Sequence, residues 1–247
     1  ENSAESAAVT DLKQSMNLDG VVGLGPAMLP ILQKIRLLAP LSITVLLGGE
    51  TGVGKSMLAH LIHRNSERAA QPFIELNCAT LPDNLIESEL FGSEPGAHSA
   101  AGNQVRDGKV AAAEGGTLFL DEVSELSLPA QAKLLQLLQS KHYYRLGGTE
   151  KQHADVRIIA ASNIDFDQAV SERNFRPDLL YRLRVMEIHL PNLEERKHDI
   201  AELAEYFCNQ ACEKHQLKSI FLGSRALMAI EHAQWRGNVR QLANAIE

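Results

Sequence analysis

The 247 residues are 45% apolar, 22% charged and only 5% aromatic, with a formal net charge of −7. That length and apolar share suffice for a sizeable aliphatic core, while the acidic balance and the lack of a basic stripe argue against a surface that wraps nucleic acid by itself. No apolar run nears the roughly 18 residues that span a bilayer and the N-terminus has no secretory pattern; Cys78, Cys208 and Cys212 give no disulfide framework, so a reduced, cytoplasmic setting without a membrane partner is expected.

Residues 1–18 are small, polar and aperiodic, and read as a linker or disordered arm. Met28, Ile31, Leu32, Ile35 and Leu38 then recur at helical spacing, with Pro30 confined to the first turn. Residues 43–47 form a short apolar run ending in glycines, the pattern of a buried parallel strand. A helix is predicted over Lys55–Arg64, strands over Phe73–Asn77 and residues 117–120, a helix over 129–138 and a strand over 156–161. After Pro191 strands give way to helices, one presenting Ile200, Leu203, Ala204, Phe207 and Ala211, another Leu227, Ile230 and Trp235, a third Val239, Leu242 and Ile246. The alternation predicts an α/β fold over 19–190, a parallel sheet flanked by helices, followed by an all-helical lid over 191–247.

Between the first strand and its helix, Gly49-Glu50-Thr51-Gly52-Val53-Gly54-Lys55-Ser56 fits G-x-x-x-x-G-K-[ST], the P-loop. Its glycines let successive backbone N–H groups converge on phosphate oxygens at a helix N-terminus. Lys55 is expected to reach the β- and γ-phosphates of ATP, and the Ser56 hydroxyl to ligate Mg²⁺. The second half of such a site is an acidic pair closing a buried strand, supplied by Gly115-Gly116-Thr117-Leu118-Phe119-Leu120-Asp121-Glu122. Ligands of open α/β sheets sit beyond the carboxyl ends of the strands, where both carboxylates emerge. Asp121 is expected to hold Mg²⁺ and Glu122 to orient and deprotonate the attacking water, which suits hydrolysis better than transfer to a small molecule.

Beyond these motifs, Phe73-Ile74-Glu75-Leu76-Asn77-Cys78-Ala79, Glu87-Ser88-Glu89-Leu90-Phe91-Gly92, Phe175-Arg176-Pro177-Asp178-Leu179-Leu180-Tyr181-Arg182-Leu183 and Trp235-Arg236-Gly237-Asn238-Val239-Arg240 follow in order. From about Val21 to Ile246 the chain closely resembles the central AAA+ domain of bacterial enhancer-binding proteins, the activators of sigma-54 RNA polymerase. The resemblance implies that Asn163 senses the γ-phosphate or attacking water, although Ser162 stands where the family usually has Thr. It also implies that Asn77 hydrogen-bonds the catalytic Glu122, that Arg240 touches the nucleotide from the lid, and that Val21, Val22 and Gly23 pack the adenine. Arg176 and Arg182 match the arginines presented to the neighbouring subunit's nucleotide. The residue before Pro177 is extended, which puts Arg176 in a loop and Arg182 on the helix that follows. A homo-hexameric or heptameric ring is implied, and DNA contact only through a domain outside this chain.

The family's GAFTGA loop, which contacts sigma-54, reads here Gly96-Ala97-His98-Ser99-Ala100-Ala101. The tip aromatic has become an imidazole, smaller, more polar and able to charge near pH 6.5. Two alternatives stand beside the motor reading: a nucleotide-gated oligomeric scaffold that no longer contacts sigma-54, and a small-molecule phosphotransferase. Three weaker signals have ordinary readings. Cys208, Cys212 and His215 lack a fourth ligand and a second element, so they read as packing. Residues 194–199 read as a solvated, charged helix start. His142, Tyr143 and Tyr144 lack the basic surroundings of a stacking platform and read as structural.

Overall fold

The computed structural model describes residues 2–97 and 104–247. In chain order it forms α1 (Asn2–Ser15), α2 (Leu29–Leu38), β1 (Val45–Gly48), α3 (Lys55–Arg64), β2 (Phe73–Asn77), α4 (Asp83–Phe91), α5 (Lys109–Ala112), β3 (Thr117–Asp121) and α6 (Leu128–Ser140). There follow β4 (His142–Tyr144), β5 (Lys151–His153), β6 (Arg157–Ser162), α7 (Phe166–Ser171), α8 (Pro177–Leu183), β7 (Met186–His189), α9 (Ile200–Lys214), α10 (Ser224–His232) and α11 (Asn238–Ile246). Among the described residues no helix is long and apolar enough to cross a membrane. Contacts divide the chain into two compact units, residues 39–48 with 62–188, and residues 1–38 with 49–61 and 189–247. These contact units do not follow chain order, since the glycine loop groups with the C-terminal helices.

The first unit holds the sheet, in the order β2-β3-β6-β1-β7. The pairs β2–β3, β3–β6 and β1–β6 are parallel. Every residue of β6 is buried, as a central strand covered on both faces demands. Leu46, Leu118, Leu120, Ile158 and Ala160 join Leu134 of α6, Phe91 of α4 and Leu179 of α8 in one apolar cluster. Residues 43 and 44, expected in β1, stay outside it, and the Ile43 carbonyl accepts instead from Arg157 Nε at 3.3 Å. Arg157 also donates to Ala39 O at 2.6 Å, and burial pushes its pKa down to about 10. Buried arginine is costly unless its donors are met, and here they fix the approach to β1.

The second unit contains the lid cluster of Leu193, Ile200, Leu203, Trp235 and Leu242, with Val22, Phe207, Ile230, Val239 and Ile246 against it. Trp235 lies beyond α10, whose last residue is His232, and its indole N–H donates to Ile230 O at 2.9 Å. The expected disordered arm is instead the helix α1. It has little periodicity, but Leu12 is fully buried, Met16 nearly so, and Asp11 pairs with Arg36 of α2. Only half of its residues are good helix formers, so a short helix of this kind depends on such a tertiary foothold.

Candidate functional site

β1 delivers the chain at Gly48 to a loop whose glycines take conformations closed to other residues: φ is +140° at Gly49, +83° at Gly52 and +110° at Gly54. Gly52 is required twice over, because a Cβ there would lie 2.4 Å from the Gly237 carbonyl. Lys55, almost fully buried at the start of α3, donates through Nζ to Gly49 O at 2.8 Å and Glu50 O at 3.3 Å.

Three successive loop carbonyls accept hydrogen bonds from the C-terminal part of the chain. Asn238 Nδ2 donates to Thr51 O at 3.2 Å, the Arg240 backbone N–H to Gly52 O at 3.3 Å, and Arg196 Nη2 to Val53 O at 2.6 Å. In a planar trans peptide the carbonyl and the following N–H point to opposite sides. Engaging these carbonyls therefore turns the amides of Gly52, Val53 and Gly54 to the opposite side of the loop, beside the N-terminus of a ten-residue helix. Convergent amides, a helix dipole and a buried lysine are the donor set that a polyphosphate needs.

The donors are themselves fixed. Asn238 is 1% exposed with φ +54°, donates a second bond to Glu50 Oε2 at 2.9 Å, and accepts from the Leu193 N–H at 2.8 Å. Arg196 sits at a kink (φ −129°, ψ 47°) in the 3₁₀ segment Leu193–Asp199. Burial lowers its pKa, partly offset by Asp199, and its Nε has no hydrogen-bond partner. Asp199 accepts from the Gly25 N–H at 2.9 Å, and burial holds its carboxyl above the usual range. Gly23, at φ +80°, passes so close to Asp199 that a Cβ would lie 2.9 Å from its Cβ. Val22 packs on the lid cluster, and Arg240 is exposed.

In the other unit, four adjacent strands of the sheet end side by side. Asn77 ends β2 level with Asp121, which ends β3, and Gly48 ends β1 level with Ser162, which ends β6. The amide that the resemblance pairs with Glu122 donates here to Asp121 Oδ2 at 3.3 Å, while Asn77 Oδ1 accepts from the Ala79 N–H at 2.9 Å. Glu122 has φ 50° and ψ 50°, left-handed backbone for a non-glycine residue. Such conformations cost on the order of 1–3 kcal/mol and gather at active sites. Asp121 Oδ1 accepts from the Glu122 N–H at 3.1 Å and the 3₁₀ turn Val123–Glu125 follows. Ser162 Oγ donates to Ser124 Oγ at 2.9 Å and accepts from the Ile164 N–H at 3.3 Å, which frames the exposed Asn163. Cys78, beneath the pair, reports the field: burial, then Asp121, Glu122 and Glu125, push its thiol to about 12.

Arg176 lies in the loop before α8, as its proline neighbour predicts, and grips Asp178 through two bonds of 3.0 and 2.8 Å. Arg182, on α8, is exposed. The loop is held by a residue the sequence did not mark. Gln131 of α6, fully buried, donates through Nε2 to Leu126 O at 2.7 Å and Asn174 O at 3.1 Å, and accepts at Oε1 from the Arg176 N–H at 2.9 Å. Asn238, Arg196 and Gln131 each serve distant backbone carbonyls, a role with no signature in residue spacing.

Of the expected surface loop, Gly96 and Ala97 are described, whereas His98, Ser99, Ala100 and Ala101 lie outside the described residues. The base of the loop is pinned by a Ser93–Arg106 bridge and by Arg145, which pairs with Glu94 and Asp107. Cys208 Sγ donates to Ile220 O at 3.5 Å and His215 lies by Glu247, and no group of metal-ligating side chains occurs among the described residues. Tyr143 is buried in the short hairpin β4–β5.

Residues 21–189 match the family model described as a Sigma-54 interaction domain, and residues 194–247 match the AAA+ ATPase lid domain. The chain is 46% identical over 234 residues to the Nif-specific regulatory protein of Klebsiella pneumoniae, which covers 95% of this chain and 44% of that one. It is 45% identical over 224 residues to the DNA-binding transcriptional regulator NtrC of Escherichia coli (strain K12), covering 91% and 48%. The crystal structure of NtrX from Brucella abortus in complex with ADP superposes with a TM-score of 0.86 at 34% identity, covering 100% of this chain and 52% of that one. The chain thus spans less than half the length of these two curated relatives.

Proposed function

Because this chain belongs to the Sigma-54 interaction domain family and carries an AAA+ lid, we propose that it is the ATP-hydrolysing motor of a bacterial sigma-54 activator, working as a ring of identical subunits. The observation that carries the reading is the carboxyl edge of the sheet, where β1 ends at Gly48 with the glycine loop next in sequence and Asp121 ends the strand two places away. The amides of Gly52, Val53 and Gly54 bind the phosphates with Lys55, and Val22 and Gly23 flank the adenine. Ser56 and Asp121 are the residues that would hold Mg²⁺, which when bound would offset charge on the transferring phosphoryl group. Glu122 takes the proton of the attacking water. Asn163 and Asn77 orient that water, and Arg240 reports the nucleotide to the lid.

Arg176 and Arg182 act on the neighbouring protomer's nucleotide, where a guanidinium in trans raises turnover by orders of magnitude. Helix α8 also borders an apolar groove of about 640 Å³ lined by Val170, Pro177, Leu180, Tyr181 and Val185, with Tyr181 82% exposed. An exposed apolar face beside two arginines suits a second copy of this chain. The output passes through residues 96–101 to sigma-54 polymerase.

The test is phosphate release as a function of protein concentration. Specific activity rises cooperatively in the parent, is lost in Arg176→Ala, and is lost with nucleotide binding retained in Glu122→Gln. Equal specific activity in a strictly monomeric preparation would overturn the ring, and failure to open a sigma-54 promoter with ATP would overturn the output.

A further inference from the structure

The fully buried Gln131 joins two parts of the molecule that the proposed mechanism treats separately. One is the turn that Glu122 opens: its left-handed backbone leads through residues 123–125 to Leu126, whose carbonyl accepts from Gln131 Nε2 at 2.7 Å. The other is the loop ending in Arg176. There the same Nε2 donates to Asn174 O at 3.1 Å, and Oε1 accepts from the Arg176 N–H at 2.9 Å. Upstream, the loop is tied to α7 by its own backbone, where the N–H groups of Asn174 and Phe175 donate to Ala169 O at 2.9 and 3.2 Å; Gln131 holds its last step, to Arg176. Arg173 stands at φ +61°, Asn174 is exposed, and the Arg176 side chain reaches no further than Asp178, two residues on. Phe175 anchors it, buried edge-on against Phe166 at a centroid distance of 4.8 Å.

A primary amide offers two donor hydrogens and an acceptor oxygen. Here both ends of the group are used, and neither partner atom on the loop has a substitute among the described contacts. From this we infer that Gln131 is the positioning residue for the arginine that each protomer offers its neighbour, and that it ties the placement of Arg176 to the turn carrying the same protomer's Glu122. The inference rests on the trans action of Arg176 proposed above. It assigns Gln131 to the donor face of the protomer, though its side chain is buried inside it.

The prediction is directional and mixed assemblies read it. Gln131→Met preserves volume and removes both polar ends. Gln131→Glu keeps the acceptor for the Arg176 N–H and loses the donor hydrogens. Each is assayed alone and in equimolar mixture with Glu122→Gln, which cannot hydrolyse but offers an intact arginine, or with Arg176→Ala, which keeps its own hydrolytic residues but offers no arginine. Misplacing a catalytic group by about 1 Å lowers turnover on the order of 100-fold, and a loss of that size is expected for Gln131→Met alone, with ADP affinity unchanged. Mixing with Glu122→Gln restores turnover to the level of the Arg176→Ala plus Glu122→Gln control, whereas mixing with Arg176→Ala restores nothing. Recovery in both mixtures, or in neither while Gln131→Glu retains the parental circular dichroism and melting point, overturns the inference. A control pair that fails to complement instead overturns the trans arginine itself, so the two failures are distinguishable.

Discussion

Replacing Asn238 by aspartate tests the phosphate loop from behind. The change keeps the shape and the Oδ1 that accepts from Leu193, but removes the donor to Thr51 O at 3.2 Å and to Glu50 Oε2 at 2.9 Å. A buried hydrogen bond lost with its partner unsatisfied costs about 1–3 kcal/mol. Two carboxylates then face one another where an amide bridged to one, a repulsion of up to about 4 kcal/mol at an effective dielectric of 20. Glu50 is exposed and swings toward water, so most of that repulsion is relieved. The remainder is about 2 kcal/mol, or about thirtyfold in Kd, falling on the peptide that aims the Gly52 amide. Titration with fluorescent ADP at neutral pH measures it, with a melting curve to register any general loss of fold. The deficit narrows as pH falls, because like-charge crowding raises the pKa of the new carboxyl and its protonation restores a donor. An affinity within twofold of the parent, with melting unchanged, would refute the idea that Asn238 aims the loop.

Cys78 is expected to resist alkylation in the folded protein. With its thiol pushed to about 12 by burial and the acidic turn, its thiolate fraction at pH 8 is about one part in ten thousand. Pulse labelling with iodoacetamide and peptide mass mapping checks this, and labelling at the rate of a free thiol contradicts it. Leu12→Ala is expected to release α1, because removing a fully buried leucine costs about 2–5 kcal/mol and α1 has few other apolar anchors. Trypsin then cleaves after Lys13 sooner while the sheet stays protected; unchanged cleavage there argues that α1 is held by something else.

Parts whose chemistry dictates residue type at fixed spacing were legible in the sequence. The bounds of α3 and β2, the loop between β1 and α3 and the strand end at Asp121 fall where expected, because a glycine-rich turn and a buried strand admit few alternatives. Pro177 correctly announced that Arg176 is extended. The rest depends on contacts across long stretches of chain. Gln131 reads as one more polar position on a helix, and only the carbonyls of Leu126 and Asn174 reveal why an amide is buried there. Strand β7 escaped notice because Met186–His189 buries one residue of its four and no apolar run marks it. α1 was read as an arm because its helix rests on local propensity and a single buried leucine, not on a stripe.

The grip on Thr51, Gly52 and Val53 bears on how such chains diversify. The side chain that holds Thr51 is 187 positions downstream of it, and the one that holds Val53 is 143 downstream. Exchanging the C-terminal helices between distant relatives would therefore alter nucleotide affinity unless an amide at 238, a guanidinium at 196 and the bare Cα of Gly52 travelled together. Recombination that splits this trio should leave a recognisable fold with a poorly aimed cradle, so the three positions are expected to be inherited as a set.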